Sequence, residues 1–89
     1  MIERELTVSN RLGLHARATA KLVQTVAPFK STITLLAKGR EVNAKSIMGV
    51  MLLAAGQGTT VTVRADGEDA EAALTAVAAL FERRFDEET

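Results

Sequence analysis

The chain is 89 residues long, 47% hydrophobic and 25% charged, with no cysteine and only three aromatic residues, all Phe. That balance describes one folded domain rather than a disordered segment, and it exceeds the roughly 60 residues at which a single core becomes marginal. The missing thiols exclude disulfides, thiolate metal sites, iron–sulfur clusters and cysteine nucleophiles. The net charge is zero but unevenly spread. Residues 1–65 hold nine Lys/Arg against three Asp/Glu, and residues 66–89 hold two against eight. A basic face for anionic groups, or internal neutralisation by an acidic end that folds back, both fit this asymmetry.

In chain order, Ile2, Arg4, Leu6 and Val8 alternate with Glu3, Glu5 and Thr7 as a half-buried strand does. Ser9 to Gly13 reads as a loop. From Ala16 to Ala27 the period becomes helical, with Ala16, Thr19, Ala20, Val23, Val26 and Ala27 as the expected apolar face and Pro28 as the stop. Thr32–Leu36 and Arg40–Ala44 alternate on either side of Lys38-Gly39 and are expected to form a hairpin. Ser46 is a good cap ahead of Ile47-Met48-Gly49-Val50-Met51-Leu52, so a short helix starts there, weakened by Gly49.

Thr60–Ala65 supplies a fourth strand, and a helix runs from about Asp69 to Arg84 with Ala70, Ala73, Leu74, Val77, Leu80, Phe81 and Phe85 as its stripe. Its acidic start and basic end suit the helix dipole. Asp86 to Thr89 reads as a loose polar tail. The order β-α-β-β-α-β-α predicts an α+β, two-layer open-faced sandwich spanning 1–89 as a single domain, with helices on one face of the sheet. Glu3, Glu5, Thr7, Thr32, Thr34, Thr60, Thr62 and Arg64 would share the uncovered face. No targeting segment is visible, and Ile47 to Ala55 is far shorter than the roughly 20 residues of a membrane span. A cytoplasmic location without membrane insertion is the expectation.

His15 is the single histidine and stands directly before the helix starting at Ala16-Arg17. A helix start offers unpaired N–H groups and a dipole that favours anions. An imidazole at the cap therefore brings any group bound to it near the amides of Ala16 and Arg17. The Arg17 guanidinium adds a donor fork that matches phosphate oxygens. Gly13 permits a left-handed backbone just before. A lone His ahead of a helix is more often a surface residue or a weak cap. One His without Cys is too few ligands for zinc, so no metal is expected. No nucleophile elbow and no glycine-rich phosphate loop is present.

Ser46 serves structure as a cap, and Ile47, Met48 and Met51 beside it fit either the core or a docking patch. Nucleic-acid binding is the competing class, suggested by the basic first 65 residues. The expected open sheet face offers Thr and Glu rather than aromatics for base stacking, so no nucleic-acid partner is expected. A protein-interaction module without chemistry of its own is a further alternative.

Two segments together point further. Asn10-Arg11-Leu12-Gly13-Leu14-His15-Ala16-Arg17 resembles the active-site segment of the HPr family, the histidine-containing phosphocarriers of the bacterial phosphoenolpyruvate-dependent phosphotransferase system. Val42-Asn43-Ala44-Lys45-Ser46-Ile47-Met48-Gly49-Val50-Met51-Leu52 resembles the segment around that family's regulatory serine. The resemblance implies strand order 1-4-2-3 and phosphorylation of His15 on Nδ1 by enzyme I. His15 would pass the group to enzyme IIA domains with Arg17 stabilising the phosphate. It implies ATP-dependent phosphorylation of Ser46 by an HPr kinase/phosphorylase, and partner docking through Thr19, Ile47, Met48 and Met51. No cofactor is implied, and the chain would be a carrier rather than a self-sufficient catalyst.

This sequence departs from the family pattern at Ala18, where the family has Pro. The restored amide makes Ala18 a third candidate phosphate donor beside Ala16 and Arg17. Residues 76–88 resemble the end of nitrogen-branch paralogues, whereas the Ser46 segment resembles sugar-branch carriers.

Overall fold

Alternating apolar and polar residues can satisfy their backbone and hide one face only by pairing into a sheet and covering it. The computed structural model describes residues 1–88. Its elements are β1 (Ile2–Thr7), α1 (Ala16–Val26), β2 (Thr32–Ala37), β3 (Arg40–Asn43), α2 (Ile47–Leu52), β4 (Thr60–Asp66) and α3 (Ala70–Glu82), followed by a 3-10 turn at Arg84–Asp86. The four strands form one antiparallel sheet in the order β1-β4-β2-β3. Helix α3 packs across β1, β4 and β2, α1 packs on α3 and α2, and α2 packs on β3. This is the open-faced two-layer sandwich expected from the sequence.

Register sorts the faces. Ile33, Leu35, Val61, Val63 and Ala65 point inward and join Leu22, Val26, Val77, Leu80 and Phe81 in one buried cluster. Each large side chain in it contributes about 1.5–3 kcal/mol by leaving water. On the other face Arg64 stands opposite Glu3 in β1 and Thr34 in β2. Its Nε donates to Glu3 at 2.8 Å, and its Nη1 lies 3.9 Å from Glu41 of β3. Exposed pairs of this kind add only about 0–1 kcal/mol, so the sheet is held by its buried face. The β2–β3 hairpin closes through Lys38 and Gly39, both with positive φ, as a two-residue turn of matching twist requires.

Helix α1 departs from expectation in phase. Its buried residues are Ala18, Thr19, Leu22 and Val26, while Ala16 and Ala27 are exposed. The apolar stripe thus runs Ala18–Leu22–Val26 at i, i+4, i+8, so that Leu22 is the central core contact. Alanines on both sides of the helix blurred the boundary, because Ala is tolerated at either surface. In α2 the Ser46 Oγ accepts from the Gly49 amide at 3.0 Å. A Cβ on Gly49 would lie 3.2 Å from that same oxygen and 3.4 Å from the Val42 Cβ, so the glycine makes room for its own cap and for β3.

Candidate functional site

The loop before α1 is fixed by backbone geometry. Gly13 has φ +68°, and a Cβ there would meet the Ala55 carbonyl oxygen at 2.6 Å. Only glycine fits that approach without displacement. Leu14 then donates to the Ala55 carbonyl at 2.9 Å, and buried Asn10 donates from Nδ2 to the Gly13 carbonyl at 2.8 Å. These contacts leave His15 in extended conformation as the N-cap of α1. Its Nδ1 accepts from the Arg17 backbone N–H at 3.3 Å, a long hydrogen bond.

The far edge of the ring meets the end of the chain. Beyond α3, Arg84, Phe85 and Asp86 all have left-handed backbones, with φ of 55°, 56° and 63°. Three such non-glycine residues cost roughly 1–2 kcal/mol each. The turn persists because Phe85 is fully buried and because Asp86 accepts from Lys21 of α1 at 3.1 Å and from Arg83 at 2.9 Å. It carries Glu87 back to the start of α1. Glu87 Oε2 lies 2.5 Å from His15 Nε2, and its Oε1 accepts from Asn10 Nδ2 at 3.0 Å. The polar tail expected to be loose is therefore folded onto the site through residue 88. Thr89 lies outside the described residues. Internal neutralisation of the acidic end, one of the two readings of the charge asymmetry, is realised in the Lys21–Asp86 pair.

Burial opposes ionisation of Glu87. Hydrogen bonds from Asn10 and His15, with the Arg17 charge, outweigh it and hold the carboxyl below its ordinary value. Hydrogen bonds from Arg83 and Lys21 likewise hold Asp86 below the usual carboxylate range. A cleft of about 650 Å³ opens between the start of α1 and the tail, lined among others by Leu12, His15, Arg17 and Lys21. The His15 side chain is 27% exposed into it, neither sealed nor projecting freely. Ala16 and Arg17 are exposed beside it.

Two other expected site residues fall elsewhere. Thr19 is fully buried, with its hydroxyl donating to the Leu14 carbonyl at 3.2 Å. It braces the loop from inside and presents nothing to a partner, because α1 turns this side toward the core. Ala18 is also fully buried. Its amide is closed to an external phosphate, so Ala16 and Arg17 alone remain as candidate backbone donors. On α2, Ile47, Met48 and Met51 are exposed, as is Leu52. Ser46 is partly exposed at the helix start.

The family model described as PTS HPr component phosphorylation site matches residues 2–83. The phosphocarrier protein HPr of Xylella fastidiosa (strain Temecula1 / ATCC 700964) is 68% identical over 89 residues, covering 100% of both chains. The chain belongs to the HPr family. The phosphocarrier protein NPr of Shewanella violacea is 42% identical over 86 residues, covering 97% of this chain and 94% of the relative. Among solved structures, HPr-C-His from Thermoanaerobacter tengcongensis superposes with a TM-score of 0.96 at 44% identity, covering 100% of each chain.

As an HPr-family protein, the chain is a phosphocarrier. It takes a phosphoryl group on histidine and passes it between proteins of the phosphotransferase system, without being a self-sufficient enzyme. HPr-family carriers exchange the group with enzyme I and with enzyme IIA domains. No helix among the described residues is long and apolar enough to cross a membrane. Sequence reasoning assigned no role to two residues that the structure joins to His15, Glu87 and, through it, Asn10. Their only signals were the acidic character of the final segment and a polar Asn in a short loop, and neither specifies a contact across 72 residues of chain.

Proposed function

We propose that His15 is the phosphoryl acceptor of this carrier and that the group is held on Nδ1. The observation that carries this reading is the hydrogen bond from the Arg17 backbone N–H to Nδ1, which requires a lone pair on that nitrogen. Nδ1 is thereby the nucleophilic atom, placed at a helix start whose dipole favours the incoming anion. Once the group is attached, the Arg17 amide transfers its hydrogen bond from nitrogen to a phosphoryl oxygen. The Ala16 amide adjoins it, and the Arg17 guanidinium adds charge across the same cleft. The whole chain acts as one domain in the cytoplasm, taking the group from phospho-enzyme I and giving it to an enzyme IIA domain.

Ser46 is the regulatory site, phosphorylated by an HPr kinase/phosphorylase. Ile47, Met48 and Met51 form the docking surface beside it, and their exposure supports that role. The sugar branch is favoured over the nitrogen branch, since identity is 68% to the relative named HPr and 42% to the one named NPr. Incubation with enzyme I and phosphoenolpyruvate, followed by mass spectrometry, tests the acceptor. Wild type gains one acid-labile phosphoryl group, and His15→Ala gains none while folding normally. Unchanged labelling of His15→Ala would place the acceptor elsewhere.

A further inference from the structure

A neutral imidazole has one N–H and one lone pair, and its neighbours decide which nitrogen has which. Here both edges of the His15 ring are specified. Nδ1 faces a backbone N–H, and Nε2 faces the Glu87 carboxylate at 2.5 Å. The carboxylate is itself fixed, because its second oxygen accepts from Asn10, which is buried and tied to the Gly13 carbonyl. Asn10, Glu87 and His15 thus form one hydrogen-bonded chain running from the loop before α1, through the tail, to the reactive ring.

We propose that Glu87 is a positioning residue for phosphoryl transfer, holding the proton on His15 Nε2 through both halves of the carrier cycle. The proposal rests on His15 Nδ1 as the acceptor. In the loading step the Nδ1 lone pair forms the new N–P bond while the bond from phosphorus to the donor's imidazole breaks, its electron pair leaving with the donor. The Nε2 proton stays in place. The ring becomes a phosphoimidazolium whose positive charge faces the Glu87 carboxylate. In the unloading step the N–P electrons return to Nδ1, and the departing ring is a neutral imidazole still protonated on Nε2. Neither an imidazolate leaving group nor a solvent proton is needed. Without Glu87 the proton on Nε2 is uncompensated in the loaded state, and its loss makes the ring a poorer leaving group.

The other charged groups facing this ring are Arg17 and Lys21 from α1 and Asp86 and Glu88 from the tail. Asp86 is engaged by Lys21 and Arg83. Of the charged groups only Glu87 makes a hydrogen bond to the ring, so Glu87 is the group that holds the proton at Nε2. Glutamine cannot replace it. Its amide would set an NH2 group where one carboxylate oxygen stands, donor against donor, facing either Asn10 Nδ2 or His15 Nε2–H.

The test uses the full chain with enzyme I, phosphoenolpyruvate and an enzyme IIA domain, comparing wild type with Glu87→Gln, Glu87→Ala and Glu87→Asp. Imidazole 15N NMR should report Nε2–H in the wild type and mixed tautomers in the Gln and Ala variants. In the phosphorylated Gln and Ala variants the Nε2 titration should move to lower pH. The rate of transfer to enzyme IIA should fall at least about tenfold, well inside the loss seen when the carboxylate that fixes a catalytic imidazole's tautomer is neutralised. The KM for the carrier should remain near the wild-type value, and Asp should recover part of the loss. An unchanged tautomer and an unchanged titration in a folded, His15-phosphorylated Glu87→Gln variant would overturn the proposal while leaving His15 as acceptor. Phosphorylation at a residue other than His15 would instead overturn the acceptor assignment.

Discussion

The ring of Phe85 packs 4.9 Å from that of Phe81, tilted by 57°, and so ties the end of the chain to α3. Phe81 belongs to the last turn of the helix, whereas Phe85 sits in the left-handed turn beyond it. The aromatic contact and the burial of Phe85 are what bring Glu87 to His15.

Phe85→Ala should therefore loosen the tail and unbind Glu87 from the ring. The expected loss of stability is about 3 kcal/mol, the low end for a buried Phe-to-Ala change, because a released tail also sheds its left-handed backbone strain. Denaturant unfolding measures the loss, and imidazole NMR of His15 reports the release. Phe85→Leu, which keeps an apolar anchor, should lose less and retain the His15 contact. A Phe85→Ala protein as stable as wild type would show that the tail is not anchored by this side chain.

Ser46→Asp and Ser46→Ala should separate the two roles of that residue. Aspartate caps a helix as well as serine does, so Ser46→Asp should keep α2 and its stability. Its charge on the docking surface should nonetheless slow phosphorylation by enzyme I on the order of tenfold, equivalent to about 1.4 kcal/mol. Ser46→Ala removes the oxygen that accepts from the Gly49 amide and should cost about 1 kcal/mol of stability with little effect on transfer. Calorimetry and enzyme I kinetics read the two quantities independently.

Ala18→Pro should raise stability without changing the chemistry. The first α1 backbone bond runs from the Thr19 amide to the His15 carbonyl, so the Ala18 amide stands before the first intrahelical acceptor. Proline there forfeits no helical hydrogen bond and restricts the unfolded chain, a gain of about 0.4–1 kcal/mol. Because Ala18 is closed to solvent, the hydrolysis rate of phosphohistidine should not move. A slower or faster hydrolysis would mean that this amide does reach the phosphate.

Asp69 should make stability fall in acid. It accepts from the Ser31 hydroxyl and from the Lys30 and Ser31 amides, and these bonds, the Ser31 hydroxyl foremost, lower its pKa from 3.8 to about 2. A carboxyl depressed in the folded state stabilises fully above its unfolded pKa and loses that contribution as pH falls through the folded value. The loss therefore develops between about pH 4 and pH 2. Urea unfolding of wild type and Asp69→Asn across that range should show the difference between them shrinking as the pH drops.

Much of the fold is legible in the residues. Strict alternation in Thr32–Leu36 and Thr60–Ala65 dictates which side chains enter the core, since a strand has period two and a one-residue slip would bury every threonine. Lys38-Gly39 and Ser46 mark a turn and a helix start through their own backbone and hydrogen-bonding chemistry. Helix α1 was legible in extent but not in phase, because Ala16, Ala18 and Ala20 differ too little in hydrophobicity to say which faces inward.

The sequence by itself determined the sheet faces, the helix starts and the placing of His15 at a cap, because each depends on neighbours a few residues away. Tertiary structure alone decided that Ala18 and Leu22 point inward and that Glu87 closes the far edge of the imidazole. That last contact spans 72 residues and passes through a left-handed turn that no periodicity encodes. It exists only because Phe85 finds a buried place against Phe81, and burial of that kind is a property of the assembled core.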